Sequence, residues 1–286
     1  MVAVNVIIPT FNRENKVGRA ISSVLNQTFK DFKIIVVDDG STDGTKDVVS
    51  RFGWRVTYLA LSSNLGVSAA RNTGIKKSKA PFIAFLDSDD YWLPEKLAVQ
   101  TDFFETNPNA MVCQTQEIWI RKGRQVTPQK KHIKKTGDIF EPSLKLCLVS
   151  PSSVMIKRSL LKKVGLFDEN LPACEDYDLW LRIACRYQIY LIEQHLTVKT
   201  GGHQDQLSSR YNGMDRFRIK ALEKLLKQGV LNKRQSKAAL EELTIKCEIY
   251  GNGCLKRGKN EEALFYLELP KKLKKSRLPP FNPKER

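Results

Sequence analysis

Asp87-Ser88-Asp89 follows directly on the apolar run Pro81-Phe-Ile-Ala-Phe-Leu86. Two carboxylates two residues apart on a tight turn can present hard oxygen ligands to a divalent cation. Mg2+ or Mn2+ held there would bridge to a diphosphate. The pattern is common in surface turns; a place at the end of a buried strand is what lifts it above them. Asp90 reads as a turn or helix-capping residue rather than a third ligand. A second acid pair, Glu175-Asp176, heads the segment Glu175-Asp-Tyr-Asp-Leu-Trp-Leu-Arg182. Acids are favoured in a first helical turn, so for this pair taken alone capping is the simpler account and proton transfer the sharper one. Gly201-Gly202-His203 offers a flexible approach and an imidazole that could join the same cation, the alternative being a surface-loop histidine. Trp119 and Trp180 could stack on a sugar face. Trp180 sits four residues after Asp176, at helical spacing, where an aromatic belongs equally well to a core.

The elements that must carry these residues alternate. Val4–Ile8 is a short apolar run closed by Pro9, Thr10, Phe11 and Asn12. Val17, Ile21, Val24 and Leu25 then recur at helical spacing. Phe32–Val37 is a second strand, ending in Asp38-Asp39-Gly40, with Ser41-Thr42-Asp43 as N-caps for a further helix. Val56–Leu61 reads as a strand, Gly66–Lys77 as a helix and Phe82–Leu86 as a strand. Strands apolar throughout, alternating with helices, indicate an α/β fold with a parallel sheet covered on both faces. In such sheets ligands gather at the carboxyl ends of the strands, and here three separate ends carry polar clusters: Thr10 and Asn12, Asp38 and Asp39, Asp87 and Asp89. The glycine-rich phosphate loops of dinucleotide-binding and P-loop proteins are absent after the first strand, so phosphates need another counter-charge.

Past residue 110 the pattern changes. Met111–Trp119, Pro151–Lys157 and Ile189–Ile192 read as strands and Tyr177–Arg186 as a helix. From Asp215 on the pattern is helical, with Lys237–Leu255 and Glu261–Leu269 as later helices. The tail from Pro270, rich in Pro, Lys and Arg, is expected to lack a fixed fold. The organisation expected is a domain over 1–210, a basic helical extension over 211–270 and a flexible tail over 271–286.

The 286 residues, 41% hydrophobic, supply a sizeable core. The net charge is +17, of which residues 201–286 carry +10. Arg121 to Lys135 holds seven Lys or Arg and no acid. Such fields attract phosphate-rich surfaces, whether nucleic acid, anionic lipid headgroups or diphosphate ligands, and also serve plain solubility. A nucleic-acid-binding protein is one alternative, and the lack of aromatic residues within the basic run counts against it. The six cysteines show no C-x-x-C spacing, the start of the chain does not read as a signal peptide, and no apolar run is long enough to cross a bilayer. A cytoplasmic place with free thiols is the expectation.

Five segments together carry a resemblance: Val4-Asn-Val-Ile-Ile-Pro-Thr-Phe-Asn12, Val36-Val-Asp-Asp-Gly-Ser-Thr-Asp-Gly44, Asn64-Leu-Gly-Val-Ser-Ala-Ala-Arg-Asn-Thr-Gly74, Leu86-Asp-Ser-Asp-Asp90 and Glu175–Arg182. In order and spacing they resemble the motif series of glycosyltransferase family 2, over about residues 3–205. The resemblance implies a GT-A fold, with a mostly parallel sheet sandwiched by helices, here followed by a C-terminal helical extension. It implies an inverting transferase using a nucleotide sugar, usually a UDP-sugar. Thr10 would then lie against the base, Asp39 would accept its N–H, and Arg71 would face the base or the diphosphate. Asp87 would bind the ribose or sugar, with Pro9, Asn12 and Ser88 in the same substrate-binding set. Asp89 and His203 would hold the Mn2+ or Mg2+, and Asp176 would be the general base. Glu175 would support it or touch the acceptor, as Trp180 would if it stacks. A saccharide or lipid-linked saccharide acceptor, for a surface polysaccharide of the cell envelope, is the implied partner. Nucleic acid is not expected. The basic C-terminal helices could rest on an anionic membrane face, cover the domain or mediate self-association. A regulator that binds sugar nucleotides without turnover is disfavoured by the intact Asp87, Asp89 and Asp176.

Overall fold

The computed structural model describes residues 2–202, 211 and 213–275. Strands β1 (Val4–Thr10), β2 (Phe32–Asp38), β3 (Val56–Ala60) and β4 (Phe82–Phe85) alternate with helices α1 (Val17–Leu25), α2 (Thr45–Ser50) and α3 (Val67–Lys77). They pair in parallel, β1 between β2 and β4 and β3 outside β2. Pleating sends alternate side chains to opposite faces. In β1, Val4, Val6 and Ile8 therefore enter one core with α1, while Ile7 enters the other with α3, and all four are fully buried. That double burial is why these strands read as unbroken apolar runs.

Beyond β4 the sheet becomes mixed. The other strands are β5 (Tyr91–Trp92), β6 (Val112–Arg121), β7 (Arg124–Val126), β8 (Val154–Lys157) and β9 (Tyr190–Gly201). The sheet runs β3-β2-β1-β4-β8-β6-β9-β5, with β7 hairpinned onto β6. β8 is antiparallel to both β4 and β6. β9 is parallel to β6, and much longer than the Ile189–Ile192 run: exposed Glu193–His195 interrupt the apolar pattern before buried Leu196, Thr197 and Val198 resume it. Helices α4 (Lys96–Thr106), α5 (Phe140–Lys145), α6 (Arg158–Val164) and α7 (Glu175–Ala184) cover the faces.

The C-terminal helices are α8 (Asp215–Lys227), α9 (Lys233–Leu255) and α10 (Asn260–Lys275). Phe217, Leu222 and Leu225 of α8 and Leu243 and Cys247 of α9 join the same apolar cluster as Tyr177 and Leu181 of α7. The extension is thus packed onto the α/β body and shares its core. A reciprocal capping box starts α9: Asn232 accepts the Gln235 N–H at 2.9 Å and Gln235 accepts the Asn232 N–H at 3.1 Å. The chain does not lose its fold at Pro270, as the composition suggested. α10 runs through Pro270 to Lys275, because Leu269, Pro270 and Leu273 continue its buried face. Among the described residues no helix is long and apolar enough to cross a membrane.

Candidate active site

The carboxyl ends of β1, β2 and β4 and the first turns of α3 and α7 meet at one cleft of about 900 Å3. Its floor is built by two loops tied to each other. Asn12, in the left-handed region at φ 51°, accepts the Thr42 N–H at 2.9 Å, and its own N–H donates to Ser41 at 2.9 Å. Asp38 turns away from the cleft, accepting from the Tyr58 hydroxyl at 2.6 Å and from the Ser41 N–H at 2.8 Å. Asp39 turns into it and grips the loop before α3, accepting the N–H groups of Leu65 at 2.7 Å and Gly66 at 2.8 Å. Burial raises the Asp39 pKa, and those two N–H groups oppose the rise. Gly40 is required here. At φ 77° a side chain would be strained, and a Cβ would stand 2.7 Å from the Ser63 carbonyl carbon.

Arg71, on α3, joins two halves of the cleft. It is 3% exposed and donates to Asp87 at 2.7 Å and to Glu175 at 2.7 Å. Those acids come from the end of β4 and the start of α7. The two carboxylates hold the guanidinium protonated against the cost of burial. Glu175 is itself pushed up to about 7 by burial and by Asp176, with Arg71 opposing. Asp90 is anchored as a turn residue, accepting from Ser152 at 2.7 Å and from the Thr200 N–H at 2.8 Å. Burial, then Asp89 and Asp87, raise its pKa well above the carboxylate range. This arrangement lets the turn present Asp89, half-buried on the cleft wall, with its carbonyl held by Arg19 at 2.7 Å and by the Thr200 hydroxyl.

Asp176 is half-buried on the same cleft, one residue beyond the Arg71 contact. Cys174 precedes the helix in the left-handed region, φ 60°, so the first turn of α7 is aimed by a sharp corner. One Asp176 oxygen accepts the Tyr177 N–H at 2.7 Å, and the other lies 3.6 Å from Cys147 Sγ, whose single S–H also has the Val149 carbonyl at 3.2 Å. Cys147 stays a thiol, because burial and the neighbouring Asp176 push its pKa well up.

Of the residues singled out from sequence, Pro9, Thr10, Asn12, Asp39, Arg71, Asp87, Ser88, Asp89, Glu175 and Asp176 all line this cleft. Thr10 Oγ1 and Ser68 Oγ are buried there without hydrogen-bond partners among the described residues, as polar groups facing a ligand would be. Trp180 does not belong to the site. It is 1% exposed and packs edge-on against Phe167 with ring centroids 6.4 Å apart, so it is core. His203 lies outside the described residues. Trp119 stands one strand further out, its indole N–H on Glu117 at 2.9 Å. Cys147 and Lys199 are among the cleft residues that escaped the sequence reading. Neither stands in a motif; Lys199 reaches the cleft only because β9 continues well past its apolar start. Its ammonium is held protonated by Glu117, Asp90, Asp87 and Asp176.

Comparison with known proteins agrees with this geometry. The model of glycosyl transferase family 2 matches residues 5–165. An uncharacterized glycosyltransferase of Rickettsia typhi is 32% identical over 211 residues, 72% of this chain and 66% of that one. The Escherichia coli UDP-Glc:alpha-D-GlcNAc-diphosphoundecaprenol beta-1,3-glucosyltransferase WfgD is 35% identical over 184 residues, 63% of this chain and 69% of that one. The chain thus spans about two thirds of these relatives, and it spans about a third of another from Rickettsia felis. Among solved structures, Staphylococcus aureus TarS 1-349 in complex with UDP-GlcNAc aligns with a TM-score of 0.66, 19% identity, and 94% and 91% of the two chains covered. The mannosyltransferase PcManGT of Pyrobaculum calidifontis, in complex with GDP-Man and Mn2+, aligns at 0.57 with 16% identity, covering 96% and 88%. Those likenesses show the GT-A fold. With motifs, cleft and fold in agreement, this chain belongs to glycosyltransferase family 2.

Proposed function

We propose that the chain is an inverting hexosyl- or N-acetylhexosaminyltransferase. It moves a sugar from a UDP-sugar to a hydroxyl of a saccharide acceptor, one that is lipid-linked, in surface polysaccharide synthesis. The observation that carries this is the shared cleft: Thr10, Asp39, Asp89 and Asp176, from the ends of β1, β2 and β4 and the start of α7, all open on the same space. The unpartnered Thr10 hydroxyl and the buried Asp39 carboxylate supply an acceptor-rich floor suited to the N–H of uracil. Arg71 fixes Asp87 against the donor's ribose or sugar and fixes Glu175 beside the acceptor. The half-buried Asp176 takes the proton of the attacking hydroxyl, with the Tyr177 N–H orienting its carboxylate. The hydroxyl oxygen displaces the diphosphate from the opposite face of the anomeric carbon, so the configuration inverts.

The residues present suit a hard cation. Arg71 engages Asp87, leaving Asp89 to act with the donor's phosphate oxygens and water, the donor set that Mg2+ or Mn2+ prefers. Among the described residues no three acids, histidines or cysteines cluster as a preformed metal cage, which fits a cation that arrives with the diphosphate. Bound there, it would neutralise charge on the leaving group. The acceptor class follows WfgD, whose name gives a diphosphoundecaprenol-linked GlcNAc.

A panel of nucleotide sugars with Mn2+ or Mg2+, read as nucleoside diphosphate release, tests the reading. Asp176→Asn is expected to lose at least about a hundredfold in kcat while keeping donor affinity. Asp89→Ala is expected to weaken donor binding only when the cation is present. An Asp176→Asn enzyme that turns over like wild type removes Asp176 from the role of base.

A further inference from the structure

The acceptor class proposed above carries its phosphate one sugar ring away from the attacking hydroxyl. A protein seat for that phosphate must therefore begin beside Asp176, at the end of the cleft away from the nucleotide floor. The sheet order sets the direction. The floor stands on β2 and β1, Asp87 and Asp89 follow β4, and β6 and β9 lie beyond on the far side. Lys199 of β9 lines the cleft from that side, within the field of Asp176.

From Lys199 the β6–β9 ladder leads outwards, pairing Trp119 with Lys199, Ile120 with Thr200 and Arg121 with Gly201. Trp119 links the inner and outer cations. Lys199 Nζ lies 5.7 Å and the Arg121 guanidinium 5.5 Å from its ring centroid, and the His132 ring lies 5.2 Å away. The β6–β7 hairpin then exposes Arg121, Lys122 and Arg124, and the following turn exposes Lys130 and Lys131. Lys134 alone turns inward, onto Glu117 at 3.1 Å. The whole run from Arg121 to Lys135 holds no acid. Cations set this close repel one another and are stabilised by a polyanion laid across them. Two guanidiniums on a rigid two-stranded hairpin offer forked donors that match a diphosphate.

We propose that Lys199, Arg121 and the basic hairpin beyond them seat the diphosphate of the acceptor. The proposal rests on the transferase reading above. Two acceptors with the same sugar test it, one joined to an alkyl chain through a diphosphate and one through a plain glycosidic oxygen. With Arg121→Gln/Arg124→Gln, KM for the diphosphate acceptor is expected to rise on the order of tenfold, while KM for the neutral acceptor moves less than about twofold. Lys199→Met is expected to discriminate between the two acceptors in the same sense. Equal losses on both acceptors overturn the proposal, since the cations would then serve only the fold.

If wild type turns over neither acceptor, the transferase reading fails and the seat is judged by binding alone. The full chain is floated with phosphatidylcholine vesicles doped with undecaprenyl diphosphate, and with vesicles doped to the same charge with phosphatidylglycerol. Retention on the first only, lost in the double variant, supports the seat. Equal retention on both marks a general contact with anionic membrane and overturns it.

Discussion

Gly74→Ala is a small change with a calculable cost. Gly74 lies on α3 where that helix crosses β1. An added Cβ would stand 2.5 Å from Ile7 Cγ2, 3.1 Å from Cγ1 and 3.2 Å from Cδ1. Carbon atoms in contact rest about 3.5–4.0 Å apart, so the helix or Ile7 must yield by about 1 Å. Ile7 is fully buried in a strand paired on both sides, and it has nowhere to go. Overpacking of this kind costs roughly 3 kcal/mol at the upper end, against about 1 kcal/mol gained by replacing a helical glycine. The net expectation is a loss of about 2 kcal/mol, a fall of roughly 3 °C in the melting midpoint. Arg71 lies one turn earlier on the same helix and Thr10 three residues further along the same strand, so donor affinity is expected to fall as well. Ile7→Ala removes all three clashing atoms. The double variant should therefore be more stable than the sum of the singles by about 3 kcal/mol, the whole overpacking cost. Denaturant melts of the four proteins, with titration of UDP, give both numbers. A Gly74→Ala protein more stable than wild type, by the helix-propensity term alone, would show that α3 and β1 do not touch at this point.

Two further outcomes are expected. Because the folded-state pKa of Glu175 is raised, to about 7, above its unfolded value, the native state binds the extra proton. Stability should then fall as pH climbs from about 4.5 to about 7, by up to about 3 kcal/mol for this group, and Glu175→Gln should flatten that slope in melts across the window. Trp180→Ala should cost roughly 3–5 kcal/mol as a core deletion. Enzyme assayed well below its melting point should keep its acceptor KM, and a selective rise in that KM would return Trp180 to the sugar site.

The parallel half of the sheet was legible because β1, β2 and β4 are buried on both faces over most of their length and end abruptly in polar residues. Thr10, Asp39, Asp87 and Asp89 could be placed from that pattern together with the family resemblance. Asp176 needed the resemblance, since acids at a helix start look alike whether they cap or catalyse. The sequence leaves Trp180 open between sugar contact and core, because helical spacing tells which residues share a face but not whether that face meets a cleft or a core. The Arg71 bridge could not be foreseen; its partners stand 16 and 104 residues away, and only the folded chain brings them together. Lys199 gave no signal either, because a lysine late in a strand resembles any solvated edge residue until the sheet order aims it at four carboxylates. The helix through Pro270 shows the converse, a packed apolar face outweighing a residue that lacks an amide hydrogen.

The bridge from Arg71 to Glu175 also bears on how the protein is made. The segment matched by the family model stops at residue 165, short of Glu175 and of the other two acids in the first turn of α7. A nascent chain of that length would carry the cleft residues of β1, β2 and β4, yet of the two carboxylates that hold Arg71 among the described residues it would have Asp87 alone. α7 in turn packs on α8 and α9, whose apolar residues close the same cluster. The smallest fragment that can be expressed as a working catalyst therefore extends far beyond the matched region, into the C-terminal helices, and shorter truncations are expected to yield insoluble protein.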